Sequence, residues 1–121
     1  MTETRFDVLA IGNAIVDIIA DTDDAFIASE GLTKGSMQLV DAPAVSKLYE
    51  SMGPGVEISG GSGANTIAGV ASYGGKGAFI GRIADDDFGK IFRHDIRSIG
   101  VAFDSAPART GARWRRSRIA R

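Results

Sequence analysis

A chain of 121 residues can hold one domain with a buried core, but not two. Its 44% apolar and 24% charged composition is that of an ordinary globular protein, and no apolar run approaches the ~20 residues that cross a bilayer. The absence of cysteine excludes disulfides and thiolate metal centres; with no basic, cleavable leader in MTETRFDVLAIG, the expected location is cytoplasmic and no membrane partner is expected.

In chain order, strands alternate with helices. Phe6 to Ile11 is a near-continuous apolar run, as in a strand buried on both faces. Ile15 to Ala20 is a second β-rich run, broken by Asp17. Thr22 is placed to cap a short helix through Phe26 and Ile27 that stops at Gly31. Ser36 to Val40 reads as a strand. Pro43 in a first turn, then Val45, Leu48, Tyr49 and Met52 at helical spacing, predict an amphipathic helix ended by Gly53-Pro54-Gly55. Val56 to Ser59 alternates as a strand does, Gly77 to Ile83 reads as another, and Asp85 or Asp86 opens a helix with Phe88, Ile91, Phe92, Ile96 and Ile99 on one face. Such alternation predicts an α/β fold with a parallel sheet and right-handed crossovers. The runs at 15–20 and 36–40 are joined by short segments and can instead form a small separate sheet.

The most informative stretch is GGSGANTIAGVASYG, from Gly60 to Gly74. A strand that ends in glycines and opens a helix presents backbone N–H groups to an oxygen-rich ligand, and the missing Cβ atoms permit close approach. Asn65, one turn into the helix, adds a donor and an acceptor. Asn13 and Asp17 follow the first strand, where ligands collect in α/β sheets. An ionised carboxylate only accepts hydrogen bonds, which suits vicinal hydroxyls. By spacing alone, Asp17 is equally well read as an edge residue facing water.

Other motifs fall short. Gly12-Asn13-Ala14-Ile15 supplies one glycine of a dinucleotide fingerprint, and YGGKG around Lys76 lacks the first glycine and final hydroxyl of a phosphate loop. His94 is the only histidine and sits in a polar helix, which favours a surface position over catalysis. Asp85-Asp86-Asp87 can ligate a hard cation, but a helix-capping role is preferred, and no metal site is assigned. Residues 1–108 carry all 15 acids against eight basic residues, whereas 109–121 carry six arginines and no acid. Because arginine, alanine, glycine and serine are what GC-rich DNA encodes out of frame, a frameshifted or disordered end at 106–121 is preferred. Nucleic-acid binding through the tail is the lesser alternative.

GNAIVD at Gly12–Asp17, KGSMQLVD at Lys34–Asp41, GGSGAN at Gly60–Asn65 and GRIADDDFGKIF at Gly81–Phe92 occur in this order. Together, over residues 5–105, they resemble the N-terminal part of the ribokinase-like (PfkB) family of sugar and nucleoside kinases. The resemblance implies a partial doubly wound parallel sheet with helices on both faces over 1–105, plus a small β lid formed by 15–20 and 36–40, with Met37 near the substrate. It implies that Asp17, Gly61 and Asn65 bind sugar or ribose hydroxyls, with Asn13 on the same side. It implies ATP and Mg²⁺ as cofactors of the intact family. Ile67 departs from the usual small residue and resembles the adenosine-kinase-like branch, which favours a nucleoside acceptor.

Family members are longer, and their catalytic base and anion hole lie in a GAGD-type motif that residues 106–121 do not contain. No catalytic residue is therefore assigned, tight binding of ATP or Mg²⁺ by this chain is not expected, and an inactive kinase fragment is the preferred reading. A free-standing sugar- or nucleoside-binding module is the alternative. An exposed sheet edge would favour self-association.

Overall fold

In the computed structural model, residues 3–38 and 40–109 are described. The elements are β1 (Val8–Ile11), β2 (Ile15–Ile19), α1 (Asp24–Ser29), α2 (Ala42–Ser51), β3 (Val56–Gly60), α3 (Ser62–Ser72), β4 (Gly77–Ile80) and α4 (Asp87–Ser98). Three helices begin at an aspartate whose carboxylate accepts a first-turn amide: Asp23 from Phe26, Asp41 from Ala44 and Asp86 from Gly89. The cap of α1 is thus Asp23 and not Thr22. The short carboxylate one residue nearer the helix reaches the Phe26 amide at 2.8 Å.

β1 and β4 pair in parallel, from Val8 opposite Gly77 to Ile11 opposite Ile80. A single parallel bridge from Ala78 to Ala102 continues the sheet on the far side of β4. β2 and β3 form a separate antiparallel pair, with Ile15 opposite Gly60, Asp17 opposite Ile58 and Ile19 opposite Val56. The partner of β2 is therefore β3 and not the 36–40 segment, whose described residues, 36–38 and 40, lie outside any strand. Connectivity explains the choice. β2 starts just beyond β1, β3 runs straight into α3, and α3 packs on β1 and β4, so Ile15 and Gly60 are brought together at one place.

The core is aromatic. Phe79 of β4, Phe92 of α4 and Phe103 are each 1% exposed, with ring centroids 5.4–5.9 Å apart. Ile67 of α3 and Ile96 of α4 complete it. α3 covers the face of the parallel sheet that carries Gly77 and Phe79, so closely that a Cβ on Gly77 would lie 2.8 Å from Ile67 Cγ1. On the opposite face Leu9, Ile11 and Ile80 remain 54%, 75% and 48% exposed, with no helix over them among the described residues. Ile99, expected on the buried face of α4, is the C-cap and is exposed.

Two arginines of α4 hold the segment that follows. Arg93 donates to the Ser105 carbonyl and lies over the Phe103 ring, and Arg97 donates to the Phe103 carbonyl and pairs with Asp104. The Ala108 amide then donates to the Ile83 carbonyl at 2.8 Å. The chain is thus hydrogen-bonded to the body past the 105/106 boundary read from composition; residues 110–121 lie outside the described residues.

Candidate functional site at the glycine turn

The site begins with backbone geometry. Gly61 caps α3 with φ 95° and ψ 149°, a conformation that disfavours any side chain, and its position leaves only 3.1 Å between a would-be Cβ and the Asn13 carbonyl oxygen. The glycine turn is therefore seated on the β1–β2 connection. That contact brings Asn13 and Gly61 together.

Asp17 joins them through Gly60. The antiparallel register puts Asp17 next to the end of β3, and its carboxylate lies over Gly60, where a Cβ would collide with both carboxylate oxygens and with Cγ at 2.7 Å. Gly60 is thus as much part of the arrangement as Gly61, a role the sequence reading missed. The doubled glycine was its signal: one glycine satisfies the positive φ, and the other makes room for a carboxylate.

Asn65 stands one turn into α3, its own amide donating to the Gly61 carbonyl at 2.8 Å. No contact links its side chain directly to Asp17; the two share the turn. Among the described residues, the side chains of Asn13, Asp17 and Asn65 make no hydrogen bond or ion pair, while Asn13 and Asn65 are exposed and Asp17 is half-buried. The start of α3 is also uncapped by any side chain, in contrast to the aspartate-capped α1, α2 and α4. Its first-turn amides have no intrahelical acceptor and carry the positive end of the helix dipole. The chemistry on offer is hydroxyl and oxyanion binding: a carboxylate that accepts, amides that donate, and carboxamides that do both.

Other sequence candidates fall outside this cluster. Ile67 is fully buried against Gly77 and shapes the core beneath α3. Asp86 is engaged as the α4 cap and Asp87 lies 3.5 Å from Lys90. No group of three His, Asp or Glu side chains gathers among the described residues. His94 is exposed on α4. No described helix is long and apolar enough to cross a membrane.

One carboxylate outside the cluster reaches it. Asp95 of α4 accepts the Ser59 amide at 2.8 Å, one residue before Gly60. Nearer the other end of β3, the Tyr49 hydroxyl donates to Glu57 at 2.6 Å, and its ring packs edge-on against Phe88 of α4. That hydrogen bond, and then the charge of Glu57, raise the Tyr49 phenol above its ordinary pKa of 10.0.

Comparison with known proteins gives the family and the fold. The adenosine kinase from Sinorhizobium meliloti is 55% identical in sequence and superposes with a TM-score of 0.74, over 87% of this chain and 32% of that one. A probable sugar kinase from Rhizobium etli is 52% identical, with a TM-score of 0.75, over 88% and 32%. Among curated proteins, probable fructokinase-4 of Arabidopsis thaliana is 32% identical over 80 residues, 65% of this chain. The chain spans about a quarter of the length of that relative (24%) and about a third of the two solved kinases (32%). The likeness to solved adenosine kinases makes the architecture, a parallel sheet with packed helices, a ribokinase-like α/β fold. The match to the family described as pfkB family carbohydrate kinase runs from residue 48 to residue 115, more than half of the sequence, and so the chain belongs to the pfkB family of carbohydrate kinases.

Proposed function

We propose that this chain is the acceptor-binding portion of an ATP-dependent carbohydrate or nucleoside kinase and that, by itself, it binds the acceptor without phosphorylating it. The observation that carries the reading is the Asp17 carboxylate, unpaired among the described residues and laid over Gly60 beside the uncapped start of α3. In this reading Asp17 accepts hydrogen bonds from two vicinal hydroxyls. Asn65 and Asn13 donate to and accept from neighbouring oxygens, and the α3 amides donate to the oxygen nearest the turn. A nucleoside is the favoured acceptor, supported by the 55% identity to the S. meliloti adenosine kinase. The fructokinase relatives keep sugars among the acceptors to be tried.

In intact family members ATP with Mg²⁺ supplies the phosphoryl group and the countercharge. The described residues of this chain position the acceptor, and none of them is assigned the role of base towards the hydroxyl that would be phosphorylated. Phosphoryl transfer depends on positioning together with charge stabilisation at the transferred group, so ground-state binding of the acceptor alone does not accelerate it. A radiolabelled-ATP assay of highly purified chain over adenosine, other nucleosides, ribose and fructose should therefore give no phosphorylated product. Turnover that co-purifies with the chain and disappears in Asp17→Ala would overturn this reading.

A further inference from the structure

We infer that Asp95 is a positioning residue for the acceptor site, holding β3 so that Gly60, Gly61 and the Asp17 carboxylate keep their mutual geometry. The inference rests on the acceptor reading above. β2 and β3 belong to a sheet of their own, separate from β1 and β4, so the position of this small sheet depends on what anchors it to the body. Among the described residues β3 has a strand on one edge only, that of β2. Its Ser59 amide donates instead to Asp95 Oδ2, at 2.8 Å in a partly buried contact. A charge-assisted bond to backbone is short and directional, and partial burial protects it from competition by water.

The two ends of this tether differ in how they are packed. α4 is fixed in the core by Phe92 and Ile96, both 1% exposed, which flank Asp95 on the helix. β3 is a two-strand ribbon with Val56 and Ile58 exposed, and a two-stranded sheet has little stability of its own. The other polar tie to β3, from Tyr49 to Glu57, is exposed and lies nearer the opposite end of the strand. Asp95 thus grips β3 one residue from the glycine that the Asp17 carboxylate covers. A purely protective role, masking an edge amide, makes a different prediction. Its loss would lower stability and leave the acceptor affinity of the folded chain unchanged.

The test compares Asp95→Asn, which keeps an acceptor oxygen, with Asp95→Leu and Asp95→Ala, which do not. Adenosine and fructose binding are measured by titration calorimetry on the full 121-residue chain, and Ser59 amide exchange by NMR. Asp95→Asn should bind within about twofold of the unaltered chain, while the Leu and Ala variants lose roughly five- to tenfold in affinity. They should also lose protection at Ser59 while keeping it at Phe92 and Ile96. Unchanged affinity in a folded Leu or Ala variant overturns the assignment, as does an equal loss in the Asn variant. Failure of the unaltered chain to bind either acceptor overturns the acceptor reading and this assignment with it. Binding by the unaltered chain with no difference among the variants removes the assignment alone.

Discussion

Asp17 lies on the outward face of the small sheet, which it shares with the exposed Ile19, Val56 and Ile58. Its strand neighbours are Val16 and Ile18, and the residue opposite is Ile58. No described cation or donor pairs with its carboxylate, so removing it breaks no hydrogen bond or ion pair of the fold. Asp17→Ala should therefore lower acceptor affinity by roughly one to two decades, the loss expected of a charge-assisted hydrogen bond, while thermal stability holds. Gly60→Ala should weaken binding in the same direction with Asp17 intact, because the added methyl displaces the carboxylate it would touch. Calorimetric titration with adenosine beside a thermal melt reads both; an affinity unchanged in folded Asp17→Ala removes the assignment.

Tyr49 supplies a pH signature at the same scale. Its folded-state pKa is raised, so the Glu57 bond stabilises below the ordinary phenol value of 10.0 and its contribution fades as the pH rises through the raised value. In a Tyr73→Phe background the phenolate absorbance reports Tyr49 alone, the sequence having two tyrosines. Glu57→Gln should move that titration back down towards 10.0. A midpoint unmoved by Glu57→Gln would show that the hydrogen bond does not set it.

Among the elements, the helices were legible because their signals are local. Asp41 before Pro43, Asp86 before an i, i+4 apolar stripe, and glycines at the ends sit within a few residues of what they determine. Gly31 and Gly100 do follow α1 and α4 with φ of 66° and 88°. The pairing of β2 with β3 was not legible, because it joins residues 15–19 to 56–60 and depends on where α3 carries the glycine turn. SMQLV has the composition of a strand, but composition cannot supply a neighbour to bond with. Ile67 pointed to the adenosine-kinase-like branch, in keeping with the solved adenosine kinases the chain resembles, and its side chain does so from the core. The four candidate residues were named from sequence, whereas Gly60 and Asp95 required the register and the tertiary contact.

The capping account makes its own prediction at this scale. Asp86→Ala removes the acceptor of the Gly89 amide, a loss of ~1 kcal/mol that lowers the melting temperature of a chain this size by about 3–6 °C. Acceptor affinity should not follow, since α4 contacts the site through Asp95 alone among the hydrogen bonds described. A melting temperature unchanged by the substitution would deny the cap its role.

At the scale of the whole molecule, the chain spans about a third of the solved kinases it superposes on (32%), and one face of its parallel sheet is uncovered among the described residues. Leu9, Ile11 and Ile80 present apolar surface beside a β1 edge that has no partner among the described residues. Exposed apolar surface next to an open edge favours pairing with another chain, a second copy included. The proposed acceptor cluster is assembled within the described residues: Asn13 meets Gly61 through its carbonyl, Asn65 bonds to Gly61 through its amide, and the Asp17 carboxylate lies over Gly60. The central claim is that these residues form one hydroxyl-binding site without help from any other part of a kinase. The most direct test is a ¹⁵N-resolved NMR titration of the chain with adenosine. The account predicts saturable shifts concentrated at Asn13, Asp17, Gly60, Gly61 and Asn65 and absent from the same titration of Asp17→Ala. Shifts centred elsewhere, or an unaltered spectrum at saturating adenosine and fructose, would contradict it.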